Sequence, residues 1–550
     1  MKILRCLLCV VVWIGGTGLV ARGETQPSSG VLPLPDETVF IPELRGVITV
    51  PSENAVNATV PAGFAGVDTS RTPLLNDPHV AELLGQFVGR PMSFGSMDRL
   101  CVALRVWLNV QGQSLVSVYV PPQEITEGVL RVVVRRARLE GELMIEGARW
   151  FSPASYRAAL SLRSGDELDA VALQAAVARL NRHSHRQVVL AAEPGSTPGS
   201  TRLVMRAQER RPWQITTGFS NTGTAVTDEE RVFIGFSWAN AFGRGDSLGY
   251  SFSADPALDH SRAHSANYGT VFASGHALSA FGSYATIESV LPAPLTQNGK
   301  TWQLGSRFAF APAKTTDGWE RTFSVGADFK YSDNTLEFAT IPITDNVTHV
   351  AQLAAMLAFS KQEAARSLGA SVSVFVSPGG LTNRNDDAAF AASRVGATAD
   401  YAYGRLDAYF AQRFSSGVMF NASLALQLAS GPLLGTEQLG GGGSAGVRGY
   451  RESSAFGDEG ALLNLELHAP DFSPFKAKDR ATFFVFADGA ILGTRGPGGG
   501  TTELASVGAG LSYRWSRHFS LRASYGWQLK RLPFVTAGDS HGHLSAQLSF

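Results

Sequence analysis

The chain has 550 residues with 47 basic and 47 acidic side chains, so no bulk charge draws it to nucleic acid or to an anionic surface. Glycine is abundant at 58 residues and aromatics reach 10%, while beyond residue 23 no apolar run approaches the ~18 residues a helical span requires. If the mature chain crosses a membrane, it must do so as a closed barrel of strands.

The first residues read as a secretory leader over residues 1–23. Lys2 and Arg5 precede an apolar stretch over 7–20, and Ala21-Arg22-Gly23 offers small residues at cleavage spacing. The stretch is too short for a comfortable membrane anchor. Cys6 and Cys9 would leave with the leader. Cys101 then remains alone, with no internal disulfide and no Cys-based metal site open to it.

Residues 24–45 carry Pro27, Pro33, Pro35 and Pro42 and predict an extended lead-in, a poor helix former. Residues 46–140 follow as a first small α/β unit, with helices expected over 77–87 and 97–108 and strands over 115–120 and 128–134. The order repeats over 141–209. A strand is expected at 143–145, helices at 153–160 and 168–180, and strands at 187–190 and 203–205 around a Pro/Gly turn at 195–199.

From residue 210 to 550 the helical period fades into roughly ten-residue alternating segments broken by turn residues, as in membrane barrels. Leu248, Tyr250, Phe252 and Ala254 share one face, as do Phe323, Val325, Ala327, Phe329 and Tyr331. Val507 to Trp515, Phe519 to Trp527 and Leu544 to Phe550 alternate likewise, and the chain closes on an aromatic. The opposite faces are Gly, Ser and charged, which suits a polar lumen. At about 20 residues per strand and loop, roughly sixteen strands are expected. The fold class is thus mainly β: a transmembrane antiparallel barrel behind two small α/β domains.

One segment departs from the alternation. Over residues 439–458 a glycine tract runs into Val447-Arg448-Gly449-Tyr450, predicting an inward loop with a flexible base and a cationic tip. An Arg confined in a lumen requires a carboxylate partner. Asp488, the one acid in the apolar run Phe483-Phe484-Val485-Phe486-Ala487-Asp488-Gly489, is the candidate for a bidentate pair.

Val447-Arg448-Gly449-Tyr450 resembles the inward-loop signature of the BamA-type superfamily of outer-membrane barrels, and Phe486-Ala487-Asp488-Gly489 resembles the wall motif that pairs with it. In that motif the family's glycine lies two positions after the Asp, where Ala490 stands here. The second small unit is similar to the membrane-proximal POTRA domain of one branch, the two-partner secretion transporters (TpsB proteins). Asn181, Arg186, Pro194 and Gly195 carry that likeness. Gln123-Glu124-Ile125 with Gly128-Val129-Leu130 resembles the end of the branch's first POTRA domain, although Arg135-Arg136 stand where an acid and a glycine are usual. Asn240-Ala241-Phe242-Gly243-Arg244-Gly245-Asp246 resembles its early barrel turn.

The resemblance implies two POTRA domains in the periplasm and a barrel in the outer membrane of a Gram-negative-type bacterium. It implies export of an unfolded exoprotein, such as a β-helical adhesin or a cytolysin, recognised through its N-terminal secretion segment. Partners would be that client and outer-membrane lipid, with no nucleic acid, no cofactor and no metal. No Gly-x-x-x-x-Gly-Lys-Ser/Thr is present, and no covalent chemistry is assigned. The competing class is a membrane-protein insertase of the BamA type, working at the seam where Phe550 closes the last strand. A passive porin would need no client-binding arm. Gly442-Gly443-Ser444-Ala445-Gly446 fits the nucleophile-elbow spacing but lacks the strand and helix that motif requires. His183, His185, His541 and His543 read as solvated residues at a helix end and in a turn. Arg135, Arg136 and Arg138 read as a solvated strand end.

Overall fold

The computed structural model describes residues 19–21, residues 37–532 apart from positions 62, 126, 182–184, 198, 273, 316, 339–340 and 477, and residues 540–550. The chain divides into two units, residues 1–211 and 212–550. Most of the expected leader and lead-in lies outside the described residues. Leu19–Ala21 form a short strand that runs parallel to Leu190–Ala192.

In the first unit, one sheet takes the order Gly66–Asp68, Gly46–Val50, Val129–Arg136, Val116–Tyr119. The run from Val129 to Val134 is buried on both faces: Leu130, Val132 and Val134 join one core, Val129 and Val133 a second. A doubly covered strand selects continuous β-branched residues rather than alternation. Helix Pro78–Gly85 starts at Asp77, whose carboxylate accepts the His79 N–H at 2.9 Å. Helix Phe94–Val110 begins three residues before the predicted start, because Ser93 and Ser96 form a reciprocal capping box.

The second sheet is built on the hairpin Arg186–Pro194 and Ser200–Glu209, with Met144–Glu146 parallel to the latter. Helices Pro153–Leu160 and Ala170–Asn181 supply Tyr156, Leu173, Val177 and Leu180 to its core. Arg138–Leu139, placed in the first domain by sequence, pair instead with Ser200 and Thr201, and Ala137 and Leu139 enter the second core. The sequence boundary at 140 therefore moves back, because apolar side chains follow the core they fill.

The second unit is a closed antiparallel barrel of sixteen long strands. They are β1 (Trp213–Ser220), β2 (Arg231–Ala241), β3 (Asp246–Ala254), β4 (Ser261–Val271), β5 (Ala277–Ser289), β6 (Leu295–Ala309), β7 (Glu320–Phe338) and β8 (Ile341–Gln362). Then come β9 (Arg366–Pro378), β10 (Asp400–Arg413), β11 (Met419–Ala429), β12 (Glu459–His468), β13 (Asp479–Gly493), β14 (Thr501–Trp515), β15 (Phe519–Gln528) and β16 (Ser540–Ser549). β7 and β8, at 19 and 22 residues, run well past the ten-residue expectation.

β16 closes on β1 from Thr216 opposite Ser549 to Ser220 opposite Ser545. The Phe550 N–H donates to the Ile215 carbonyl at 2.9 Å and extends the seam by one rung. Asn221 extends it at the other end, donating to the Gly542 carbonyl and accepting from the Leu544 N–H. Ile234, Phe236, Tyr250, Phe323, Val325, Val507 and Trp527 are exposed on the outside, so the apolar faces read from the alternation are the outward ones. β13 breaks the expected polar lining: Phe484, Phe486, Ala490 and Leu492 point inward and are buried. What buries them is the loop between β11 and β12.

Candidate functional site

Residues 430–458 fold back into the barrel. Val447, Arg448 and Tyr450 are each less than 5% exposed, unlike an ordinary loop tip in solvent. The glycine tract is folded on itself rather than free: the Gly441 N–H donates to Ala455 at 2.9 Å, and the Val447 N–H returns to the Gly441 carbonyl at 2.7 Å. The flexible base expected from composition is thus a tight ladder, which includes Leu439–Gly440 paired with Phe456–Gly457. A Cβ at Gly446 would lie 2.9 Å from the Gly441 carbonyl carbon, so this turn excludes side chains.

The predicted pair forms. Arg448 Nε and Nη2 donate to the two oxygens of Asp488 at 2.7 and 2.8 Å, and the Arg448 backbone N–H adds a third bond at 3.1 Å. The guanidinium lies 3.7 Å above the Phe486 ring centroid. Planar contact with both a carboxylate and an aromatic face is specific to Arg among cations. Phe486 and Asp488 point the same way because they are two residues apart on β13.

Sequence reasoning missed the rest of this cluster. Glu466 on β12, paired in register with Phe486, accepts from Arg448 Nη1 and from Arg522 Nη2. His468 Nε2 lies 2.7 Å from the other Glu466 oxygen, and its ring stacks on Phe484. Arg522 covers Phe484 at 4.3 Å. Two arginines thus face two carboxylates, which offsets the cost of burying each charge. The signal for Glu466 was weak: one acid among alternating residues, with its inward face set only by barrel register.

Glycines make the seat. Phe484 and Phe486 lie sideways over Gly510 and Gly508, where a Cβ would come within 2.7 Å of ring carbons. Gly449, at φ +88°, accepts from Gln528 Nε2 at 2.7 Å. The Tyr450 hydroxyl accepts the Ala505 N–H at 3.3 Å and donates to the Lys530 carbonyl. Leu439, Val447, Tyr450 and Ala455 from the loop complete an apolar core with Leu462, Ala490, Leu492 and Leu504. Ala490, in the place of the superfamily's glycine, fits inside that core.

Asp458, at the loop's return, is wholly buried and collects the connections on its side of the barrel. It accepts from Arg394, which follows helix Asp387–Ser393 between β9 and β10. It also accepts from the N–H groups of Leu433 and Arg495 at 2.9 and 2.7 Å.

Asn181, Arg186, Pro194 and Gly195 are not part of this cluster; they hold together the second sheet of the first unit. The Asn181 amide donates to the Val188 carbonyl at 2.9 Å and accepts its N–H at 2.6 Å. Arg186 Nε caps the carbonyl of Leu180, and its guanidinium lies over Phe151 and Tyr156. Burial, and then the hydrogen bond to Glu209, push the Tyr156 phenol up. Pro194, opposite Thr201, leads into a turn where Gly195 leaves room for Glu140 and Ser200.

Ser444 sits in the glycine turn with its N–H donated to Glu452, without the helix a nucleophile elbow requires. His541 and His543 lie within β16, not in a turn before it, and His543 Nδ1 is 3.8 Å from Glu452. His183 lies outside the described residues.

Residues 199–513 match the family model described as haemolysin secretion/activation protein ShlB/FhaC/HecB. The chain belongs to this family. Residues 64–136 match the ShlB-type POTRA domain, so the first small unit is a POTRA domain of that type. The chain is similar to outer membrane transporter CdiB-2 of Burkholderia pseudomallei, 23% identical over 43% of this chain and 38% of that protein, so this match spans well under half the relative's length. It is 22% identical to outer membrane transporter CdiB of Dickeya dadantii, over 84% of this chain and 81% of the relative. The solved structure of CdiB from Escherichia coli shares the fold with a TM-score of 0.69 at 15% identity, covering 96% of this chain and 93% of that one. As a member of the family, the chain is an outer-membrane transporter with periplasmic POTRA domains. Between the two classes weighed from sequence, membership selects the secretion transporter over the insertase.

Proposed function

We propose that the protein captures the N-terminal secretion segment of a secreted exoprotein with its POTRA domains and passes it, unfolded, through the barrel lumen. Outer-membrane lipid surrounds the barrel, and folding of the client outside draws it forward. No covalent step is assigned to any residue. The observation that carries this reading is the buried Arg448–Asp488 pair, which holds a folded loop inside a closed barrel where a passive pore would leave open water. A charge-assisted fork of this kind is stable in place yet can be exchanged for another donor.

Two features of the first unit support capture. Strand Arg186–Pro194 is an edge of its own hairpin sheet, covered among the described residues only by Leu19–Ala21, which lie within the expected leader. An edge of that kind accepts an extended client through backbone hydrogen bonds, with little demand on its sequence. Helix Phe94–Val110 also leaves Val102, Val106 and Val110 exposed at helical spacing, an apolar stripe for alternate client side chains.

The test is Arg448→Ala in cells that produce the client. The variant barrel should insert and keep its heat-modifiable migration, while export falls at least tenfold, as expected when a buried pair worth about 3–5 kcal/mol is broken. Normal export from a stably inserted variant would remove the loop from the mechanism.

A further inference from the structure

The loop has a second charged end. Glu437, eight residues after β11 ends at Ala429, is 4% exposed and makes four polar contacts through its carboxylate. Lys330 Nζ donates to Oε1 at 2.6 Å, and Thr436 Oγ1 to the same oxygen at 3.0 Å. Tyr403 OH donates to Oε2 at 2.9 Å and Gln352 Nε2 at 3.2 Å. Lys330 is on β7, Gln352 on β8 and Tyr403 on β10. Gln352 is itself fixed by Tyr401 and by Asp328, and Asp328 holds Arg307 through a bidentate pair at 2.7 Å on each oxygen.

Strand order gives this contact its meaning. Glu437 is seated on β7, β8 and β10, whereas Gly449 and Tyr450 rest on β14 and β15. The loop therefore touches two separate arcs of the wall, β7 to β10 at Glu437 and β12 to β15 at Arg448, Gly449 and Tyr450. Its two ends carry opposite charge, and so do the walls that receive them. The tip brings Arg448 to a wall holding Asp488, Glu466 and Arg522; the base brings Glu437 to a wall holding Arg307, Lys330 and Asp328. With the loop lifted away, one wall keeps an unmatched anion and the other an unmatched cation.

We propose that Glu437 is a second latch of the lumenal loop, seated on β7, β8 and β10 rather than on the strands β12 and β13 that hold Arg448, and that the lumen is blocked only while both ends are seated. This rests on the reading that the loop closes the lumen. The matched polarity admits one seating of the loop and disfavours the reversed one, in which like charges would meet. Lys330 and Glu437 are both largely withdrawn from water, so the pair is weakly screened and persists in salt. Glu437 is a positioning residue: it acts on passage through the loop's position.

The experiment is single-channel recording of the full-length protein in planar bilayers, without client, so that it reads the lumen and not export. Glu437→Gln should raise the open fraction roughly tenfold over the unaltered protein, in line with losing hydrogen bonds to a charged group. Arg448→Ala should do so independently, and the double variant should stay open longer than either. The charge-exchanged pair Lys330→Glu with Glu437→Lys should return most of the closed state, which a merely misfolded barrel would not do. Heat-modifiable migration reports the fold of each variant. A Glu437→Gln channel that opens no more than the unaltered one, while Arg448→Ala opens, overturns the second latch and leaves the tip reading intact. If neither variant opens, the loop does not close the lumen and both readings fall.

Discussion

Gly449 of the lumenal loop lies backbone to backbone on Gly526 of β15: a Cβ on Gly526 would sit 2.7 Å from the Gly449 nitrogen, and one on Gly449 would sit 2.9 Å from the Gly526 carbonyl. Neither position tolerates a side chain while the loop is seated. Gly526→Ala should therefore lift the tip without touching any charged residue, at a cost of about 1–3 kcal/mol for overpacking. The expected result is raised bilayer conductance from a barrel that still migrates as folded. Unchanged conductance would mean that the loop does not rest there in the membrane.

Asn181 stands in for a strand by satisfying both backbone groups of Val188. Asn181→Ala would leave a buried N–H and a buried carbonyl unpaired, at about 1–3 kcal/mol for each group left unsatisfied. Hydrogen exchange should accelerate at Val188 and along Arg186–Pro194, with the barrel amides unaffected. If protection at Val188 is retained, the amide is not the staple it is taken to be.

Burial pushes the Cys101 thiol up to about 11. At pH 8 only about a thousandth of it is thiolate, the form that alkylates. Iodoacetamide should label the folded protein far more slowly than it labels a free thiol, and denaturant should restore the ordinary rate. Rapid labelling of the native chain would contradict the packing of helix Phe94–Val110.

The Ser200 hydroxyl and then the Ser196 N–H hold the Glu140 carboxyl below its ordinary 4.5. A lowered folded-state value means the unfolded chain takes up the proton first. The contribution is thus complete above pH 4.5 and lost as pH falls through the folded value. Amide protection at Ser196 should fall with acidification below that point, and Glu140→Gln should remove the pH dependence there. An unaltered pH profile in the variant would exclude this carboxylate as its source.

Much of this protein is written in local pattern. Alternation from Leu248 to Ala254 or from Val507 to Trp515 states a strand and its two faces, because side chains alternate with period two whatever lies beyond. The doubly buried run Val129 to Val134 and the Asp77 cap likewise declare themselves within a few residues. Arg448 and Asp488 could be paired in advance because Arg448 is the first charge after a glycine tract and Asp488 is the one acid in an apolar run.

Lys330 with Glu437, Arg394 with Asp458 and Arg522 with Glu466 could not be paired in the same way. Each is one ordinary charge among 94, and its partner lies 56 to 107 residues away. Only closure of the barrel brings such strands to opposite or adjacent walls and removes the water between their side chains. Local sequence determined which segments are strands and which residues share a face. The tertiary fold decided which inward charges meet, because burial and long-range register, not spacing along the chain, set the partner of a charge.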